Sequence, residues 1–169
     1  METMMALGVA GVLLGVLASL TMYSGKNFLA ILNYSDLNSK NRIAMDTMTR
    51  DVRECSRVRS YTSSRLEIED SDGSTIVYAY SSGAETLIRT QNGVSRTLAT
   101  GCDRLIFSLG TRVPKSGAES FTVEATSNVN MAKVVYVTWN CSRTIMGAKV
   151  NTESVQTARI VIRKQRLTT

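Results

Sequence analysis

Three thiols, at Cys55, Cys102 and Cys141, are the most reactive side chains in this sequence, and no histidine accompanies them. The absence of histidine from all 169 residues removes Ser-His-Asp and Cys-His catalysis and every histidine-ligated metal site. The thiols lie too far apart for a Cys-x-x-Cys redox or zinc pattern, which leaves disulfide formation as their chemistry. If strands over 102–109 and 132–141 are antiparallel neighbours with Phe107 facing Tyr136, Cys102 falls opposite Cys141 at a distance that suits a bond. A Cys55–Cys102 bond, or no bond, is the alternative. Cys55 also shares a helix face with Met48 and Val52, where a thiol serves as a small buried hydrophobe.

The carboxylates offer less. Glu69-Asp70-Ser71-Asp72-Gly73 gathers oxygens on a turn, but it lacks the spacing and the later bidentate acid of an EF-hand loop. It reads as a solvated hairpin tip, and no metal is expected. No constellation of carboxylates, lysine and free thiol stands out, so neither enzymatic activity nor a cofactor is expected. The net charge of +6 would suit nucleic acid, yet the cations are scattered, as at Arg50, Arg53, Arg65, Arg89 and Arg104. Nucleic acid is therefore not expected as the primary ligand. Tyr78, Tyr80, Phe107, Tyr136 and Trp139 read as sheet-face residues.

One carboxylate, Glu2, stands out because it heads a long uncharged run. Residues 4–23 carry no charge, and about 20 residues in a helix span roughly 30 Å, the thickness of a bilayer core. A secretory signal would open on positive residues, whereas no Lys or Arg precedes Lys26. Gly8, Gly11 and Gly15 lie along the run, and Gly11-x-x-x-Gly15 is a spacing at which apolar helices approach closely. Each glycine also costs about 1 kcal/mol of helix propensity relative to alanine, so local melting inside an assembly is an expectation.

Helical signals continue beyond the apolar run. Residues 26–57 contain no proline, and Met45, Met48, Val52 and Cys55 recur at spacings of three, four and three to form a core-facing stripe. Asp36 with Lys40, Asp46 with Arg50, and Arg50 with Glu54 sit at i,i+4 on the other faces. The pattern predicts one helix to about Val58. Beyond it the period falls to two, in Arg65–Glu69, Thr75–Tyr80, Thr86–Thr90, Val94–Leu98, Asp103–Leu109, Ala132–Trp139 and Thr157–Arg163. Asp72-Gly73 and Asn92-Gly93 mark hairpins, and 110–130 reads as a polar connection. The expected fold is α+β: residues 1–24 form an apolar half-helix, 25–58 an amphipathic half, and 59–169 an antiparallel sheet domain.

Taken together, these residues resemble the type IV pilin-like proteins, the subunits of type IV pili and of type II secretion pseudopili. The start, METMMALG followed by an apolar run, is similar to the family's methylated N-terminal segment, which has a glutamate a few residues into a phenylalanine-led mature end. The stretch NRIAMDTMTRDVREC, Asn41 to Cys55, resembles the helix end of the J/W-type minor pseudopilins and pilins. Thr86-Leu-Ile-Arg, Asn92-Gly93, Leu98 and Leu105-Ile-Phe-Ser are similar to their sheet. The resemblance covers most of the chain.

It implies insertion in the bacterial inner membrane by the N-terminal helix. Assembly into a homo-oligomeric, cell-surface helical filament would follow, with the pilus assembly machinery as partner. It further implies that Glu2 pairs with the N-terminal amine of a neighbouring subunit and so sets register and charge balance in the filament core. The family's leader, a basic stretch with a glycine before the cleavage point, and its first mature residues do not stand in the sequence before Glu2. A minor pseudopilin of a type II secretion system and a non-polymerising bitopic envelope protein are the alternatives.

Overall fold

A 53-residue helix, α1 (Glu2–Glu54), opens the chain, and two antiparallel sheets follow it. The computed structural model describes residues 2–114, 121–143 and 154–163. At about 1.5 Å per residue the helix is roughly 80 Å long. Only its second half is covered. A stripe of Leu37, Asn41, Ala44, Met48, Asp51 and Val52 is buried against the sheets, at the three- and four-residue spacing of one helix face.

The helix stops at Glu54, four residues before the expected Val58. Arg57–Tyr61 forms a strand, β1, instead of a last helical turn. The strand wins because it alternates. Val58 is buried, while Arg57 and Arg59 both reach the Glu69 carboxylate at 2.8 Å. Ser56 makes the corner, its hydroxyl donating to the carbonyls of Glu69 and Asp70.

The first sheet runs in sequence order, β1, β2 (Arg65–Glu69), β3 (Thr75–Ser81), β4 (Thr86–Gln91) and β5 (Val94–Thr100). Both expected hairpins form. Asn92 and Gly93 take φ of 52° and 78°, the left-handed pair that a two-residue β4–β5 turn requires. The second sheet has the order β7 (Phe121–Thr126), β6 (Cys102–Pro114), β8 (Val134–Cys141), β9 (Ser154–Val161). Two sheets thus replace the single one expected, and β7 lies inside the stretch read as a polar connection. Its sequence does alternate, Phe121, Val123 and Ala125 with Thr122, Glu124 and Thr126, but it is short and set among polar residues.

The long β6 divides its two sides between partners. Residues 102–110 pair with β8, and 109–114 pair with β7. Where β7 has not yet begun, the Phe107 amide donates to the Ser63 carbonyl, and Tyr61 Oη donates to the Phe107 carbonyl. These bonds stitch the two sheets together. Leu66, Ile68, Ile76, Tyr78 and Leu87 of the first sheet share one core with Phe107, Leu109, Val137 and Trp139 of the second and with the helix stripe.

Cys102 and Cys141 are disulfide-bonded, but by a different register from the one expected. Phe107 faces Val137, and Ser108 faces Tyr136. The register slips by one between Cys102 and Arg104, so Asp103 is the extra residue of a bulge. The bulge also returns Cys102 to the buried face that Leu105, Phe107 and Leu109 occupy. Gly101 closes the corner at φ +67°, where a Cβ would meet the Ser142 carbonyl oxygen at 2.6 Å.

Cys55 is fully buried and unbonded, and its thiol donates to the Val52 carbonyl. Burial first, and then the nearby Asp70 charge, push this thiol up to about 12. Peptide mapping without reduction is expected to recover Cys102 linked to Cys141. Cys55 should react with iodoacetamide at pH 9 only after denaturation, since the folded thiol stays protonated where a free one would be substantially ionised. Replacing Cys102 and Cys141 by serine should lower stability by about 2–4 kcal/mol in urea unfolding.

Candidate functional site

The uncovered half of α1 is the most unusual surface on the molecule. No residue between 2 and 36 is buried, and one 18-residue window has a mean hydropathy of 2.1 with nothing covering it. Leu7 is 76% exposed and Leu14 67%, where core leucines such as Leu66 and Leu87 are at zero. The helix is long and apolar enough to cross a membrane. Its hydroxyls suit that medium, because Ser19 Oγ donates to the Gly15 carbonyl at 2.9 Å and Thr21 Oγ1 to that of Ala18 at 2.8 Å. Polar groups bonded within the helix need no water.

Glu2 sits in the first turn of α1, exposed, where a carboxylate complements the free amides of a helix N-terminus. Gly8, Gly11 and Gly15 lie at spacings of three and four, and a side chain added at any of them would meet nothing within 4 Å. They form a shallow strip along an otherwise bulky surface. Glu2 and the glycines are exposed and stay remote from the buried stripe, on helix that no other described element covers. The expected core stripe does come together. Met48, Val52 and Cys55 are fully buried, and Met45 packs against them from the edge.

What holds the covered half is an ionic cluster that the sequence reading missed. Tyr78 and Arg89 are directly opposite each other on β3 and β4, and both reach into the side of the helix. Tyr78 Oη and Arg89 Nε each donate to Asp51 Oδ2 at 2.6 Å. Arg89 passes a further bond to Gln91, and Gln91 one to Ser74. Burial, followed by the Asp51 charge, raises the Tyr78 hydroxyl well above its usual range, so it stays a donor. Burial, the largest single influence, works against the Arg89 cation, but the hydrogen bond to Asp51, the Asp51 charge and the interactions with Tyr78 together outweigh it and the guanidinium's pKa is raised.

A second tie lies some four turns nearer the apolar half. Arg143 Nη1 approaches Asp36 Oδ2 at 2.8 Å, and Gln156 Nε2 donates to Asn38 Oδ1 at 3.3 Å. Of the three i,i+4 pairs expected on this helix, Asp36 with Lys40 closes, at 3.0 Å. Arg50 instead leans towards Asp51 Oδ1 at 3.9 Å, and no ion pair between Asp46 and Arg50 or between Arg50 and Glu54 is found among the described residues.

With ties near residues 36 and 51 and apolar packing between them, rod and domain form one body. Among the described residues no three carboxylates or thiols converge as metal ligands. Asp70 and Asp72 on the hairpin tip accept the amides of Ser71 and Ser74 within their own turn. The arrangement holds the helix against the sheet domain at two points.

Arg89→Met should destabilise the domain by about 3 kcal/mol in urea unfolding, because it leaves a buried carboxylate without its cation. Adding Asp51→Asn to that variant should recover part of the loss. No protein-family model, no curated protein and no solved structure matches the chain.

Proposed function

We propose that this chain is a structural subunit of a type IV pilus-like filament. The observation that carries the reading is a continuous helix whose apolar half is wholly uncovered while its other half is tied to a sheet domain. Exposed leucines and valines over this length need lipid or other helices around them, because water around that area is strongly unfavourable. A subunit that first rests in the inner membrane and then packs with copies of itself meets both environments in turn.

In this reading the work is packing. Gly8, Gly11 and Gly15 allow a neighbouring helix to approach closely. Glu2 enters the filament core, where a buried carboxylate is tolerable only with a cation beside it. The N-terminal amine of an adjacent subunit supplies that cation, and the sheet domain faces outwards. The resemblance of Asn41–Cys55 to J/W-type proteins favours a minor or tip-located subunit over a main one.

The experiment is to shear the surface of cells that express an epitope-tagged chain and to examine the pelleted material by immunogold electron microscopy. Labelled filaments are expected. Glu2→Ala should leave the chain in the inner membrane and lower its yield in the sheared fraction about tenfold, as expected for loss of one charge pairing of about 1.4 kcal/mol. A chain found only in the membrane fraction, with no labelled filament, would instead identify a bitopic envelope protein that does not polymerise.

A further inference from the structure

Where the helix leaves the first sheet, an open groove of about 320 Å³ runs between α1 and the outer edge of β5. Leu37 and Ala99 form its apolar floor, Lys40 and Arg96 stand on its rims, and Asn41 and Thr97 line it. Three features of this groove point to one kind of occupant.

The first is the strand itself. β5 ends its sheet, and no backbone hydrogen bond reaches its outer side among the described residues. An open edge of this kind is a template for another strand. The second is Asn41, only 1% exposed, whose amide nitrogen and amide oxygen both lack a hydrogen-bond partner among the described residues. Native structures rarely leave both ends of a buried amide unpaired, since each unmet bond costs free energy. A peptide main chain carries an N–H and a C=O that would satisfy the pair together. The third is charge: Arg96 is exposed and forms no ion pair among the described residues.

We propose that this groove binds an extended acidic segment of another protein, added as a strand along β5 with its main chain bonded to Asn41 and an acidic side chain at Arg96. Main-chain bonds at a sheet edge supply affinity, and the side chains on the rims supply selectivity. Among the described residues, no free acidic stretch is available to fill it. Its acidic stretch Glu67–Asp70 lies in and beside β2, already paired on both sides by β1 and β3. The stretches 115–120, 144–153 and 164–169 together hold Lys115, Lys149, Lys164 and Arg166 against Glu119 and Glu153, a net charge of +2. The proposal holds whether or not the chain polymerises.

The test is fluorescence anisotropy with the full chain in detergent micelles. The probe is a fluorescein-labelled heptapeptide of alternating valine and glutamate, compared with the same peptide carrying lysine for glutamate. The acidic peptide is expected to bind about tenfold more tightly, and Arg96→Glu, an exposed change, should reverse the preference. Asn41→Leu should weaken the acidic peptide about tenfold while raising the Tm of the free chain, because it removes an unsatisfied buried amide. Equal binding of the two peptides, or no response to Arg96→Glu, would overturn the proposal. So would sedimentation showing that the chain alone self-associates and that Arg96→Glu abolishes this, which would assign the groove to a second copy.

Discussion

Asp51 is the residue on which the rest of the architecture hangs. A carboxylate 8% exposed on the core face of a helix would be costly alone. Here a tyrosine and an arginine from adjacent strands share its oxygen. The cluster fixes which residues of β3 and β4 face the helix and how far along the helix the sheet sits. Purely apolar packing would permit a slide of one turn, since Met48, Val52 and Cys55 offer similar surfaces at similar spacing. The ionic cluster permits one position only. Everything N-terminal to it then projects by a set length.

The helix and its apolar half were legible from the sequence, because a long uncharged run followed by three-and-four spacing has few other readings. The turns were legible too, since Asn92-Gly93 carries its conformation in its composition. The buried stripe was only half visible. It begins at Leu37, but Asn41 and Asp51 interrupt its apolar character, and polar residues on a helix ordinarily mark the solvent side. Asp51 and Arg89 are 38 residues apart, and nothing local to either announces the other. The same interruption concealed the groove at Asn41.

The strands show how a sound local reading can meet a tertiary surprise. Cys102 and Cys141 were placed opposite each other by a register that holds at the cysteines but fails along the rest of the strand. The bulge at Asp103 reconciles the two, and no periodicity could have revealed it. Likewise, the helix gives way at Glu54 because Arg57 and Arg59 find Glu69, a contact that exists only once β2 is in place. Helical spacing within Cys55–Val58 was real but weaker than that pairing.

The unbroken helix has one more consequence, which concerns azimuth. Because one helix runs continuously from Glu2 to Glu54, the direction in which a side chain leaves the axis at one end sets it at the other. At about 100° per residue, Gly8, Gly11 and Gly15 emerge on the same side as the buried stripe, roughly a sixth of a turn away from it. Any helix that nestles on those glycines therefore runs beneath the overhang of the sheet domain rather than behind it. The clamp at one end decides which way the smooth strip faces at the other.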